Sequence, residues 1–238
     1  MILGLLLLLA SSPAPTPNLQ QEPATTSQPN WEADLQRRHD ALIAHNGPGT
    51  DIALRDRLLA LGDADQAARG MKNGAPTDSK QLRIATNLAE VDKNLTEQLK
   101  QIVADKGWPT ITMVGIQASN AAMLMLTHTR DHEWQRSLLP QLEGLADAGK
   151  IDGSQLAVVI DKELVASGQL QRYGSQFKLV NSEMAMYAVE DPAGLDHRRA
   201  SVFLPPMDVY RKTLMDMYHF KISNQIVAPT LPKPPAAQ

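Results

Sequence analysis

The chain has no cysteine among its 238 residues. That excludes disulfides, thiolate zinc sites, a cysteine nucleophile and a lipid-modified cysteine anchor. Aromatic residues make up only 4% of the chain, so aliphatic side chains and ten methionines must build the core. Methionine fills irregular gaps but specifies packing weakly. Long basic runs are missing as well, and the net charge is −3, so no nucleic-acid footprint is visible. The one long apolar run, residues 2–10, would span about 14 Å as a helix, well short of the ~30 Å hydrocarbon layer. A stable transmembrane anchor is therefore not expected. No Gly-x-Ser-x-Gly elbow, phosphate-binding glycine loop or dinucleotide fingerprint occurs, and no cofactor or metal is expected.

What is present divides the chain. Residues 1–14 read as a signal-peptide-like leader, an apolar stretch followed by small residues. No Lys or Arg precedes it and Pro15 follows the candidate cleavage site, which suggests a start upstream of Met1. Residues 15–29 read as a proline-rich flexible linker, 30–220 as one globular domain and 221–238 as a proline-rich tail. The expected location is periplasmic or secreted.

Within the domain the pattern is mainly α, with about six to eight helices and a small late β-hairpin. Leu88, Val91, Leu95, Leu99, Ile102 and Val103 recur at helical spacing, with Gly107 where a terminating glycine belongs. Thr50 is the expected cap of a helix running to about Met71. Residues 110–114 read as extended or loop. Asp131 is a cap candidate for a helix containing Pro140, and Asp152-Gly153-Ser154 opens another helix. Segments 171–180 and 183–190 alternate around Asn181-Ser182, which predicts the hairpin.

Several short motifs occur in order: Asp65-Gln66-x-x-Arg69, Asp92-x-Asn94, Gly107-Trp108-Pro109, His128 with Gln135 seven residues on, Asp161-Lys162, and Gln171-x-Tyr173-Gly174-Ser175-Gln176. Asp191-Pro192, Arg199 and Leu204-Pro205-Pro206 follow. Together, over about residues 51–210, they resemble the bacterial domain of unknown function 6624. The resemblance implies the extent of the domain and no chemistry. Two positions depart from the family's pattern: Arg130 stands where an acidic residue is common, and Lys162 where an Arg is.

Each polar motif has a chemical and a structural reading. His128 closes an apolar helix and serves either as a general base or as a histidine bonded at a helix end. His128-x-x-Asp131-His132 resembles an inverted zinc motif, but Asp replaces Glu and the helix is expected to break at Asp131. Asp161 ends an apolar run and is either the carboxylate that orients His128 or the polar side of an amphipathic helix. Gln171, Tyr173 and Gln176 either bind a ligand around Gly174 or form a bulged strand. Asp65 and Arg69, one helical turn apart, bind a ligand or form an interhelical ion pair, and Gln135 belongs with the ligand-binding candidates. Two functions remain open. One is an exported binding domain of the cell envelope, with an unknown protein or small molecule as partner. The other is a hydrolase with His128 as base and Asp161, Tyr173 and Gln176 in its pocket.

Overall fold

The structure is a computed structural model that describes residues 3–4, 31–72, 75–77, 84–218 and 221–230. Apart from residues 3–4, the expected leader and linker lie outside the described residues, as does the end of the expected tail. The described chain forms nine helices and six strands in the order β1(Leu3–Gly4), α1(Trp31–Asn46), α2(Ile52–Ala68), β2(Met71–Lys72), β3(Ala75–Pro76), α3(Leu88–Lys106), α4(Ile111–Val114), α5(Ile116–His128), α6(His132–Asp147), α7(Gly153–Ala166), β4(Gln176–Val180), β5(Glu183–Tyr187), α8(Leu195–Ser201), α9(Met207–Tyr218) and β6(Lys221–Val227). The mainly α expectation with a late hairpin holds. Among the described residues no helix is long and apolar enough to cross a membrane.

Helix α5 is the hub. Ala118, Ser119 and every residue from Ala122 to Thr127 are buried, and α2, α3, α4 and α7 all pack against it. Only small and flexible residues allow this all-round burial. At the α2 crossing, a side chain on Gly62 would place its Cβ 2.8 Å from that of Ala121. Leu54 and Leu58 from α2, Leu95, Leu99 and Ile102 from α3, and Leu156, Val159 and Ile160 from α7 complete the first core. Burial of each such side chain contributes about 1.5–3 kcal/mol.

A second, smaller core lies between the sheet and the last helices. Phe177, Met184 and Met186 meet Leu195, Tyr210 and Leu214 there, with the Phe177 and Tyr210 rings tilted 6.1 Å apart. The four-stranded sheet has the order β1-β4-β5-β6. β4 and β5 are antiparallel, joined through Asn181 (φ 49°) and Ser182 (φ 66°), whose paired positive φ values suit the twist of a two-residue hairpin. β6 returns parallel to β5 after α8 and α9, as a parallel neighbour requires a crossover.

Local capping signals set several helix ends. Asp131 and Asp152 cap their helices through Trp134 N and Ser154 N, and Gly107 ends α3 at φ 75°. The cap of α2 is Asp51 rather than Thr50, because its carboxylate reaches Leu54 N, and the helix ends at Ala68. The stretch after Pro109 is the short helix α4 rather than an extended segment. α6 continues through Pro140. Residues 221–227, placed in the tail by composition, form strand β6. The hairpin begins only at Gln176, since residues 172–175 form a turn.

Candidate functional site

The site is built where α2, α3, α5 and α7 converge. Asp65 faces inward from α2 and is fully buried. Its partner is His128, the last residue of α5, whose Nδ1 lies 2.9 Å from Oδ1 and 3.0 Å from Oδ2. An ionised carboxylate only accepts, so Nδ1 carries the proton and donates it. Nε2 then bears the lone pair of the neutral ring, and it has no protein hydrogen-bond partner among the described residues. The His128 side chain is 14% exposed, so the ring edge is within reach of solvent. Burial pulls the His128 pKa below its usual range; the hydrogen bond and charge of Asp65 oppose this, while Arg69 and Lys162 add to it. The resting imidazole is neutral.

Arg69 lies one turn along α2 and bridges two carboxylates. Its Nη2 donates to Asp92 Oδ1 of α3 at 2.6 Å, and its Nη1 lies 3.4 Å from Asp65 Oδ1 without hydrogen-bond geometry. That Nη1 is buried and has no hydrogen-bond partner. Gln66 Nε2 adds a bond to Asp65 Oδ2 at 3.2 Å. From α7, the Lys162 ammonium donates to the carbonyl of Thr127, at the carbonyl end of α5. Burial lowers the Lys162 pKa, while Glu163, Asp92 and Asp65 support its charge and Arg69 opposes it. The result is a chain, Asp92–Arg69–Asp65–His128, that ends on an unoccupied imidazole nitrogen.

The carboxylate hydrogen-bonded to His128 is thus Asp65. Asp161 is also fully buried, but its carboxylate is filled by backbone: Arg172 N at 2.7 Å and Tyr173 N at 2.9 Å on Oδ1, Ser175 N at 2.8 Å on Oδ2. Burial pushes the Asp161 pKa up while these N–H bonds pull it down. The charges acting on His128 are those of Asp65, Arg69 and Lys162. Asp161 instead fastens the 171–176 turn to α7.

The other expected ligand-binding residues in that turn are also held by protein hydrogen bonds, although Gln176 Oε1 is buried without a partner among the described residues. Gln171 donates to Tyr187 O at 2.6 Å and accepts from Gln176 N at 2.8 Å. Gln176 Nε2 bonds Ser175 Oγ at 3.0 Å. Tyr173 is held through its backbone, with its carbonyl taken by Arg199 Nη1 at 2.6 Å, while the fully buried Arg199 also bonds Pro205 O and stacks on Tyr210. Gln135 ties α6 to the end of α5 through Leu126 O at 2.6 Å. Gly174 sits at φ 71° with Met207 against it, so the glycine serves the turn. Of the expected site residues, the structure brings together Asp65, Arg69 and His128. Asp161, Gln171, Tyr173 and Gln176 form a separate scaffold.

Asp92 and Lys162 belong to the cluster but were not among the expected site residues. Asp92 had a signal: it is a charge set within the apolar stripe of α3, between Val91 and Leu95. Lys162 had only its place beside Asp161. Among the described residues no group of three or more His, Cys, Asp or Glu side chains is arranged to hold a metal ion.

No curated protein and no solved structure matches this chain significantly. A family model does match, over residues 52–223, taking in α2 through the start of β6 and every residue of the cluster. The chain belongs to the family of unknown function DUF6624.

Proposed function

We propose that this domain is a hydrolytic acid–base enzyme in which His128 is the general base and Asp65 its orienter. One observation carries the reading: His128 Nδ1 is clamped by both oxygens of a buried carboxylate while Nε2 is left without a partner at the solvent edge. A histidine that only joined two helices would gain nothing from a free nitrogen there. In the proposed step Nε2 takes a proton from water as the oxygen attacks an electrophilic centre. Asp65 stabilises the imidazolium that forms, and Arg69, anchored by Asp92, places a positive charge beside Asp65. Such proton transfer contributes about 10²–10⁴-fold to a rate.

The apolar leader and proline-rich linker support an extracytoplasmic location, which cell fractionation with a tagged chain would test. The enzymatic reading is tested by imidazole nitrogen resonances of the full chain and turnover of ester, phosphoester and glycoside substrates. The expected result is a His128 ring protonated at Nδ1 only at neutral pH, and hydrolysis lost in a folded His128→Ala variant. A ring protonated at Nε2, or hydrolysis unchanged in the variant, would remove His128 from this role.

A further inference from the structure

Four residues beyond His128, at the first position of α6, His132 repeats its arrangement. Its Nδ1 lies 2.5 Å from Glu163 Oε1, and Glu163 is 3% exposed at its side chain while His132 is 42% exposed. Arg136 Nη1 holds the other oxygen of Glu163 at 3.1 Å. Here again a buried carboxylate engages Nδ1 and leaves Nε2 without a protein hydrogen-bond partner among the described residues.

The two pairs are neighbours. Only Thr129, Arg130 and Asp131 separate the histidines, so their Cα atoms lie at most about 14 Å apart. Adjacent residues of α7 serve both: Lys162 bonds the carbonyl of Thr127 beside His128, and Glu163 holds His132. Lys162 feels the charges of both carboxylate partners, Asp65 and Glu163. Thr129, between the two histidines in sequence, is fixed by Thr96 Oγ1 at 3.0 Å and accepts from Asp131 N at 3.1 Å.

The cluster also has donors to spare. An ammonium has three N–H groups, and Lys162 uses one. Arg69 Nη1, buried 3.4 Å from Asp65 Oδ1, adds positive charge without a hydrogen bond among the described residues. Surplus cationic donors beside two open imidazoles call for an acceptor of several oxygens, which a phosphate group supplies.

We infer that His132 is the second acid–base group of this site, and that a phosphate ester sits between His128 Nε2 and His132 Nε2 with Lys162 on its oxygens. This rests on the reading of His128 as base. His128 takes a proton from water as the new O–P bond forms. The bond from phosphorus to the leaving oxygen breaks, and a proton passes from His132 Nε2 to that oxygen, releasing an alcohol and inorganic phosphate. Exchange with solvent then removes the proton taken up by His128 and restores the one given by His132.

The test uses the intact chain and inorganic phosphate, followed through imidazole nitrogen resonances. His128 and His132 are expected to shift together along one binding curve, with His39 and His197 as internal controls. His132→Gln, at a half-exposed position that leaves the core intact, is expected to weaken phosphate about tenfold, the loss of one charge-assisted bond, and Lys162→Met by a similar factor. Phosphate that moves His128 alone overturns the role of His132 and leaves the base reading standing. Phosphate that moves neither ring, or all four histidines alike as an adventitious ion only, overturns the phosphate site. Tight zinc binding through both Nε2 atoms overturns it in favour of a metal centre. A His128 ring protonated at Nε2 overturns both readings.

Discussion

The junction of α2, α3, α5 and α7 and the 171–176 turn both bury carboxylates and amides, yet they use them in opposite ways. In the turn, Asp161 and Gln171 bond backbone N–H and C=O groups, so a loop with no ladder of its own is satisfied by side chains. At the helix junction, Asp65, Arg69 and Asp92 bond to one another and to His128, and capacity is left over on Arg69 Nη1 and His128 Nε2. A buried polar residue whose partners are all backbone has a sufficient structural explanation. One whose partners are other charged side chains, around a histidine with an open nitrogen, does not. This difference in partners, rather than burial or unspent capacity, separates the scaffold from the proposed site, since Gln176 Oε1 and Arg199 Nη2 are also buried without a hydrogen-bond partner among the described residues.

Removing the scaffold carboxylate gives the largest effect. Asp161→Ala leaves the three N–H groups of Arg172, Tyr173 and Ser175 buried without acceptors. Each such orphan costs about 1–3 kcal/mol, so unfolding by urea is expected to show a loss of about 3–9 kcal/mol. Asp161→Asn is also destabilising, because its amide turns a donor toward one of those donors. If Asp161→Ala instead left stability unchanged and abolished phosphate binding, Asp161 would belong to the site and the division would fail.

Gly174→Ala breaks the same turn by a smaller amount. Its φ of 71° is a conformation that L side chains rarely adopt, and the added Cβ would meet Met207 Cε at 2.5 Å. The methionine end can move aside, so the backbone conformation sets the cost, about 1–2 kcal/mol in the same measurement. Phosphate shifts at His128 and His132 are expected to be retained.

How far the sequence discloses this arrangement depends on the range of the interaction. Helices and caps are local, and most were legible: the apolar spacing of α3, Asp131 and Asp152 before their helices, Gly107 after its own. Asn181-Ser182 announced the hairpin. Strand β6 was not legible, because Lys221–Val227 is short, partly exposed and followed by prolines, and only its parallel pairing to β5 makes it a strand. His128 was recognised as the residue to test because it ends an apolar helix. Its partner was not fixed by that fact. Asp65 and Asp161 are both buried acids at helical positions near apolar neighbours, and the choice between them rests on the crossing of α2 over α5, which Gly62 permits. Glu163 was hidden for a similar reason, since its bond to His132 depends on how α6 packs on α7.

The smallest expected effect tests the helix junction from the side of its protonation. Burial, set against the hydrogen bond of Asp65, places the His128 pKa below its ordinary value. The unfolded chain therefore takes up this proton at a higher pH than the folded one. Above the ordinary value of about 6.5 the ring is neutral in both states and its contribution to stability is complete. As pH falls from there toward the folded value, the unfolded state binds more protons, and stability drops. His128→Gln keeps an amide that can donate to Asp65 and removes the titration. It is expected to change stability by less than about 1 kcal/mol at pH 8 and to flatten the slope of unfolding free energy below about pH 6.5. A slope equal to the parent's would mean that His128 ionises alike in both states, and the neutral resting base at this junction would have to be given up.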